Sequence, residues 1–126
     1  MKNRYLLTPP YPDDETNPFG IEISAQICLL ITTVSDIDQA KQLCESLINQ
    51  RLAACVQIDK ITSIYQWKNQ LQEDDECRLV IKTPNFRQDE VVYFLQENHP
   101  YDLPEIIITP FAAEKDYYDW CVEMTS

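Results

Sequence analysis

Leu52-Ala-Ala-Cys55-Val-Gln-Ile58-Asp-Lys60-Ile-Thr-Ser-Ile64-Tyr-Gln-Trp67-Lys-Asn69-Gln-Leu-Gln-Glu73-Asp-Asp-Glu76-Cys-Arg78-Leu-Val-Ile81-Lys82 contains two strand-like runs joined at one tip. In the first run Val56, Ile58 and Ile64 share one side, and Ile61, Tyr65 and Trp67 share the other. Side chains alternate along a regular strand, so this change of phase predicts a bulge or bend near Asp59-Lys60. Lys68-Asn69 supplies the tip, because Asn tolerates the left-handed backbone that a tight hairpin turn needs. From Gln70 to Lys82 the chain returns with Cys77, Leu79 and Ile81 on one face. A long antiparallel hairpin is the central expectation.

Upstream of the hairpin, Ile27-Cys28-Leu29-Leu30-Ile31-Thr32 is a short continuous apolar run, as expected of a central strand covered on both faces. Ser35 is then the expected N-cap, with Asp36 and Asp38 in the first turn, where carboxylates meet the positive end of the helix dipole. Ile37, Ala40, Leu43, Cys44, Leu47 and Ile48 recur at helical spacing, so a helix is predicted over about 36–50. Downstream, Thr83-Pro84 predicts the start of a second helix. Phe86, Val91, Phe94 and Leu95 would form its buried side, and Asn98-His99-Pro100 its end. Glu105-Ile-Ile-Ile-Thr109 predicts another central strand. A last helix is expected over about 114–124, with Tyr117, Trp120, Cys121 and Met124 on one stripe.

The order βαββαβ plus a terminal helix predicts an α+β, ferredoxin-like sandwich with its helices on one face of the sheet. The other face would carry Tyr65, Trp67 and several isoleucines. Apolar surface of that kind meets a partner, so self-association is expected. Before this domain, taken as 25–126, lies a segment over 1–24 interrupted by Pro9, Pro10, Pro12 and Pro18. It is expected to be an extended or disordered arm.

The 126 residues suit one domain, and 44 % hydrophobic content is enough to bury a core. A net charge of −11 repels phosphate backbones and anionic lipid, so nucleic acid and membranes are not expected partners. The same field attracts cations. Five cysteines without a C-x-x-C predict buried, reduced thiols, and with no apolar leader the expected location is the cytoplasm. With one histidine and no G-x-S-x-G, H-E-x-x-H or glycine-rich phosphate loop, an enzyme is not expected.

Six stretches taken together resemble the CutA divalent-cation-tolerance family. They are Thr32-Thr33 with Asp36, Arg51-Leu-Ala-Ala-Cys55-Val, Ser63-Ile-Tyr65-Gln-Trp67, Ile81-Lys82-Thr83, His99-Pro-Tyr101-Asp-Leu-Pro104-Glu105-Ile and Tyr117-Tyr-Asp-Trp120. The resemblance implies a homotrimer in which long hairpins pair between subunits, and a role in tolerance of divalent metal ions. Copper, or another divalent cation, is the ligand it suggests. The chain departs from the family pattern in three ways. Its only glycine is Gly20, so Asp59-Lys60, Asn69 and Ala113-Glu114 stand where relatives carry glycine. Asn98 precedes the single imidazole, and Thr32 replaces a cysteine found in some relatives.

His99 is therefore the candidate metal ligand, with capping of the preceding helix as its structural alternative. Cys55, Trp67, Lys82, Tyr101 and Glu105 are candidates for a pocket between subunits, in which Lys82 and Glu105 form an ion pair or face a ligand. Glu73-Asp74-Asp75-Glu76 alternates faces along a strand, so it does not converge on one ion. A second functional reading is a trimeric signalling module that binds a small metabolite in the cleft between subunits. A third is an assembly scaffold.

Overall fold

The computed structural model describes residues 17–126. Its strands are β1 (Ile23–Val34), β2 (Cys55–Trp67), β3 (Gln70–Pro84) and β4 (Ile107–Glu114). Its helices are α1 (Ile37–Asn49), α2 (Gln88–Asn98) and α3 (Lys115–Met124), with a single 3-10 turn over Asn85–Arg87. All strand pairs are antiparallel, in the order β2-β3-β1-β4. This is the expected α+β, ferredoxin-like sheet.

Alternation along the strands divides the core in two. Cys28, Leu30, Cys77, Leu79 and Ile81 point to one face, where Ala40, Leu43 and Leu47 of α1 meet Val91, Phe94 and Leu95 of α2. Ile27 points the other way and packs with Ala54 and Cys121 beneath α3. The terminal helix therefore covers part of the face expected to be open. At about 25 cal/mol per Å² of apolar area removed from water, the first cluster supplies most of the folding drive.

The hairpin is regular where a bulge was expected. Residues pair without interruption from Cys55↔Lys82 to Trp67↔Gln70, through Asp59↔Arg78 and Lys60↔Cys77. The apparent phase change has another cause. Near its root the hairpin buries only the side that faces the helices, where Val56 and Ile58 pack on the core. Farther out, Ile64, Tyr65, Trp67 and Leu71 are exposed on both sides of the ribbon. The register shift in this sheet lies in β1 against β4, between Ser24 and Ile27. At the tip Lys68 (φ 52°) and Asn69 (φ 63°) both take the left-handed backbone of a two-residue turn.

Several boundaries differ from expectation, each for a local reason. Asp36, not Ser35, caps α1 by accepting from the Gln39 N–H at 2.8 Å. Ile48 of that helix is exposed. The helix ends in a Schellman arrangement, with Arg51 N–H bonded to Ile48 O and Leu52 N–H to Leu47 O. Arg51 (φ 58°) holds the left-handed position that glycine usually takes. Thr83 does not cap α2. Its hydroxyl donates to Leu52 O at 2.6 Å, which keeps β3 extended through Pro84 and delays the helix to Gln88. Phe86 is consequently exposed rather than buried.

The last strand starts at Ile107 and lies at the sheet edge rather than in its centre. Pro110 is the sign, because proline has no N–H to give to a second neighbour. β1 begins at Ile23, inside the segment expected to be an arm, whose first sixteen residues fall outside the described ones.

Candidate functional site

The loop after α2 is fastened to the end of β1 through His99. Its Nδ1 accepts the Tyr101 backbone N–H at 3.0 Å, so Nε2 carries the proton and donates to Thr33 O at 2.8 Å. Burial holds the imidazole below its ordinary pKa, against opposing pulls from the Thr33 carbonyl and the Glu76 carboxylate. Both nitrogens are engaged. To bind a metal, His99 would have to release one of these bonds. Its backbone N–H also closes α2 by bonding to Leu95 O at 2.9 Å.

This fastening positions Tyr101. Its ring stands edge-on to His99, with centroids 4.9 Å apart. Its hydroxyl accepts from Ser35 at 3.2 Å and donates to Glu76 Oε1 at 3.0 Å. Across the hairpin face, the Tyr65 hydroxyl donates to the Asp74 carboxylate. That bond, with burial and nearby carboxylates adding, pushes the Tyr65 phenol up to about 12. Tyr101 is raised as well, mainly by burial. Both phenols stay protonated at neutral pH.

Between this loop and the hairpin lies an open groove of about 950 Å³. Trp67, Tyr101 and Glu105 line it, so three of the five pocket candidates meet here. Cys55 and Lys82 do not. They are direct cross-strand partners at the root of the hairpin. The Lys82 ammonium sits over the Tyr117 ring of α3, 5.9 Å from its centroid. Within one protomer no ion pair joins Lys82 to Glu105, which is exposed beyond α2. Arg78, the cross-strand partner of Thr33 and Asp59, is held by Asp59 through two bonds of 3.2 and 2.7 Å.

Alternate residues of the acidic run divide as expected. Asp74 and Glu76 turn toward Tyr65 and Tyr101, while Asp75 accepts from Thr62. Among the described residues no three His, Cys, Asp or Glu side chains are grouped to hold a metal ion. The sequence reading missed Ser35 as a partner of Tyr101. The residues are 66 positions apart, and no local pattern connects them.

The family model "CutA1 divalent ion tolerance protein" matches residues 28–124. The divalent-cation tolerance protein CutA of Thermus thermophilus is 35 % identical over 99 residues, covering 77 % of this chain and 96 % of that protein. The structure of CutA from Synechococcus elongatus superposes with a TM-score of 0.81 at 36 % identity, covering 88 % of this chain and all of that one. A second structure of the same cyanobacterial CutA, complexed with a Bis-Tris molecule, gives 0.76 at 34 % identity, covering 82 % and 98 %. With a family match that spans nearly all of the described domain, and relatives more than 30 % identical along most of the chain, the chain belongs to the CutA1 divalent ion tolerance family.

Proposed function

We propose that this chain acts as a cytoplasmic homotrimer in the response to divalent cations, in a role that is not enzymatic. The observation that carries the assembly is the apolar surface one protomer leaves at its sheet edges and hairpin. Ile107 on the β4 edge is 49 % exposed, and Trp67 and Leu71 on the hairpin are 53 % and 73 % exposed. Edge strands with such side chains invite pairing with another chain. Light scattering of the purified protein should report three chains. A stable monomer at micromolar concentration would remove this reading.

The metal chemistry follows from His99 being the only imidazole. Cu(II) should bind more tightly than Zn(II), in the usual divalent order. Because binding must displace the Thr33 or Tyr101 bond, affinity should be on the order of micromolar or weaker. Calorimetric titration should lose most of this binding in His99→Ala. Retention of parent-like copper binding would place the metal elsewhere.

One observation favours a second reading, a small metabolite held in the cleft between subunits. The groove of Trp67, Tyr101 and Glu105 is wide enough for an organic molecule. The cyanobacterial relative was seen with Bis-Tris, which is such a molecule.

A further inference from the structure

The root of the hairpin gathers two thiols and a cation on the face of the sheet that α3 covers. Val56 and Ile58 of β2, with Leu79 and Ile81 of β3, point to the other face, into the core beneath α1 and α2. Side chains alternate along a strand, so Cys55 and its cross-strand partner Lys82 point toward α3. The Ala54 backbone N–H bonds to Lys82 O at 3.0 Å and closes the start of β2 onto β3. Ala54 in turn packs with Ile27 and with Cys121, the buried residue of α3.

Two contacts join α3 to this corner. Tyr117 lies one helical turn before Cys121, and its ring centroid is 5.9 Å from the Lys82 ammonium. Cys121 itself is fully buried against Ala54, the residue next to Cys55. Burial raises the Cys121 thiol and the neighbouring Cys55 raises it further, while the Tyr117 hydroxyl and Lys82 pull it down. Cys55 and Lys82 are thus both within electrostatic reach of that sulfur. Cys44, the other thiol near Cys55, packs on the opposite face of the sheet.

We propose that Cys55 and Cys121 are a peroxide-sensitive pair that closes to a disulfide within one protomer, promoted by Lys82. In the first step the Cys55 thiolate attacks hydrogen peroxide; an S–O bond forms as the O–O bond breaks, giving a sulfenic acid and hydroxide. In the second, Cys121 gives up its proton and attacks the Cys55 sulfur, forming the S–S bond and expelling hydroxide. Two thiols are oxidised and one peroxide is reduced to two waters. The partly exposed Cys55 reacts first and the buried Cys121 resolves it. The Lys82 ammonium favours the thiolate that each step needs. Hydrogen peroxide is little larger than water, so the reaction does not depend on hairpin surface left uncovered by assembly. A disulfide needs Cβ atoms about 3.5–4.5 Å apart, so closure requires α3 to settle onto the root of the hairpin. The inference stands apart from the metal and cleft readings.

The test treats the full chain, as purified and reduced, with hydrogen peroxide in a buffer containing a chelator. After an acid quench and denaturation, the count of five free thiols should fall by two. Peptide mass analysis should find the Cys55 and Cys121 peptides joined, and non-reducing electrophoresis should show a single chain. Cys121→Ala should abolish the link and leave Cys55 as a sulfenic acid that dimedone traps, whereas Cys44→Ala should keep the link. Lys82→Met should slow closure about tenfold. Should Cys121→Ala fail to fold, the parent's peptide map and the Lys82→Met rate decide. A Cys44–Cys55 link, a link between two chains, or oxidation of Cys55 without any link overturns the pairing. Closure at the parent rate in Lys82→Met overturns the part given to Lys82.

Discussion

The protonated Nε2 of His99 lies 2.8 Å from the carbonyl oxygen of Thr33, joining the loop after α2 to the end of β1. The two are 66 positions apart in the chain. Burial and the Tyr101 N–H donated to Nδ1 hold the imidazole neutral and in one tautomer, since a charged ring would lose its acceptor at Nδ1. The sole histidine is thus first a fastener of the groove wall.

That role predicts a pH dependence with a definite sign. The folded imidazole has a lowered pKa, whereas the unfolded one keeps the ordinary value of about 6.5. The unfolded chain then binds more protons in mild acid, so His99's contribution is full above the unfolded pKa. It declines as pH falls through that value and levels off once the folded ring protonates. Denaturant midpoints at about pH 7.5 and 5.5 should show this loss in the parent and a smaller one in His99→Gln. At the higher pH the variant should already be about 1–3 kcal/mol less stable. Equal acid loss in both proteins would assign the effect to carboxylates.

Thr32 offers the opposite case. It is fully buried, and its Oγ1 has no hydrogen-bond partner among the described residues. Valine has the same shape without the hydroxyl, so Thr32→Val should raise stability by about 1 kcal/mol. Thermal or denaturant unfolding would measure it. A loss of similar size would mean that the hydroxyl finds a partner in solution.

Arg51, Lys68 and Asn69 hold left-handed backbone without glycine. Such a conformation costs an L-residue about 1–2 kcal/mol. Arg51→Gly should recover part of this, about 0.5–1 kcal/mol after the entropy that glycine adds to the unfolded chain. Changing the tip to Asn-Gly, as Lys68→Asn with Asn69→Gly, should also stabilise the protein. Asn69→Val should reverse the sign. Unfolding midpoints compare all three, and a neutral Asn69→Val would show that the tip is uncoupled from global unfolding.

Thiol reactivity should follow position. Cys28, Cys77 and Cys121 are buried, while Cys44 and Cys55 are partly exposed. Burial pushes the Cys28 and Cys44 thiols up to about 11 each, Cys44 with help from Glu45 and Cys55, which suppresses their thiolates. With a thiol reagent near neutral pH, Cys55 should label first and Cys44 slowly, with the other three awaiting unfolding. Denatured protein should release five equivalents. Prompt labelling of Cys28 in the folded protein would contradict the packing.

Local chemistry made much of this protein legible from its sequence. Alternation of Cys77, Leu79 and Ile81, helical spacing of Ala40, Leu43 and Leu47, and Lys68-Asn69 at the tip depend on neighbours a few residues away. The strand and helix periods alone place those side chains. Pro110 even carried the mark of an edge strand, although the apolar run before it suggested a central one. Other features arose only when distant segments met. Thr83 serves Leu52 O rather than a helix start, because β3 runs on beside the end of α1. The phase change in β2 required no bulge, since the hairpin projects beyond the helices and its two faces meet different surroundings. Within one protomer Cys55 and Lys82 lie apart from Trp67, Tyr101 and Glu105, because one long ribbon separates its root from its outer half by many strand rises. His99 stood out in the sequence as the only imidazole, but whether its lone pair was free depended on Thr33 and Tyr101. Hydrogen-bond partners of a side chain are set by the tertiary fold, which brings together groups that no sequence period relates.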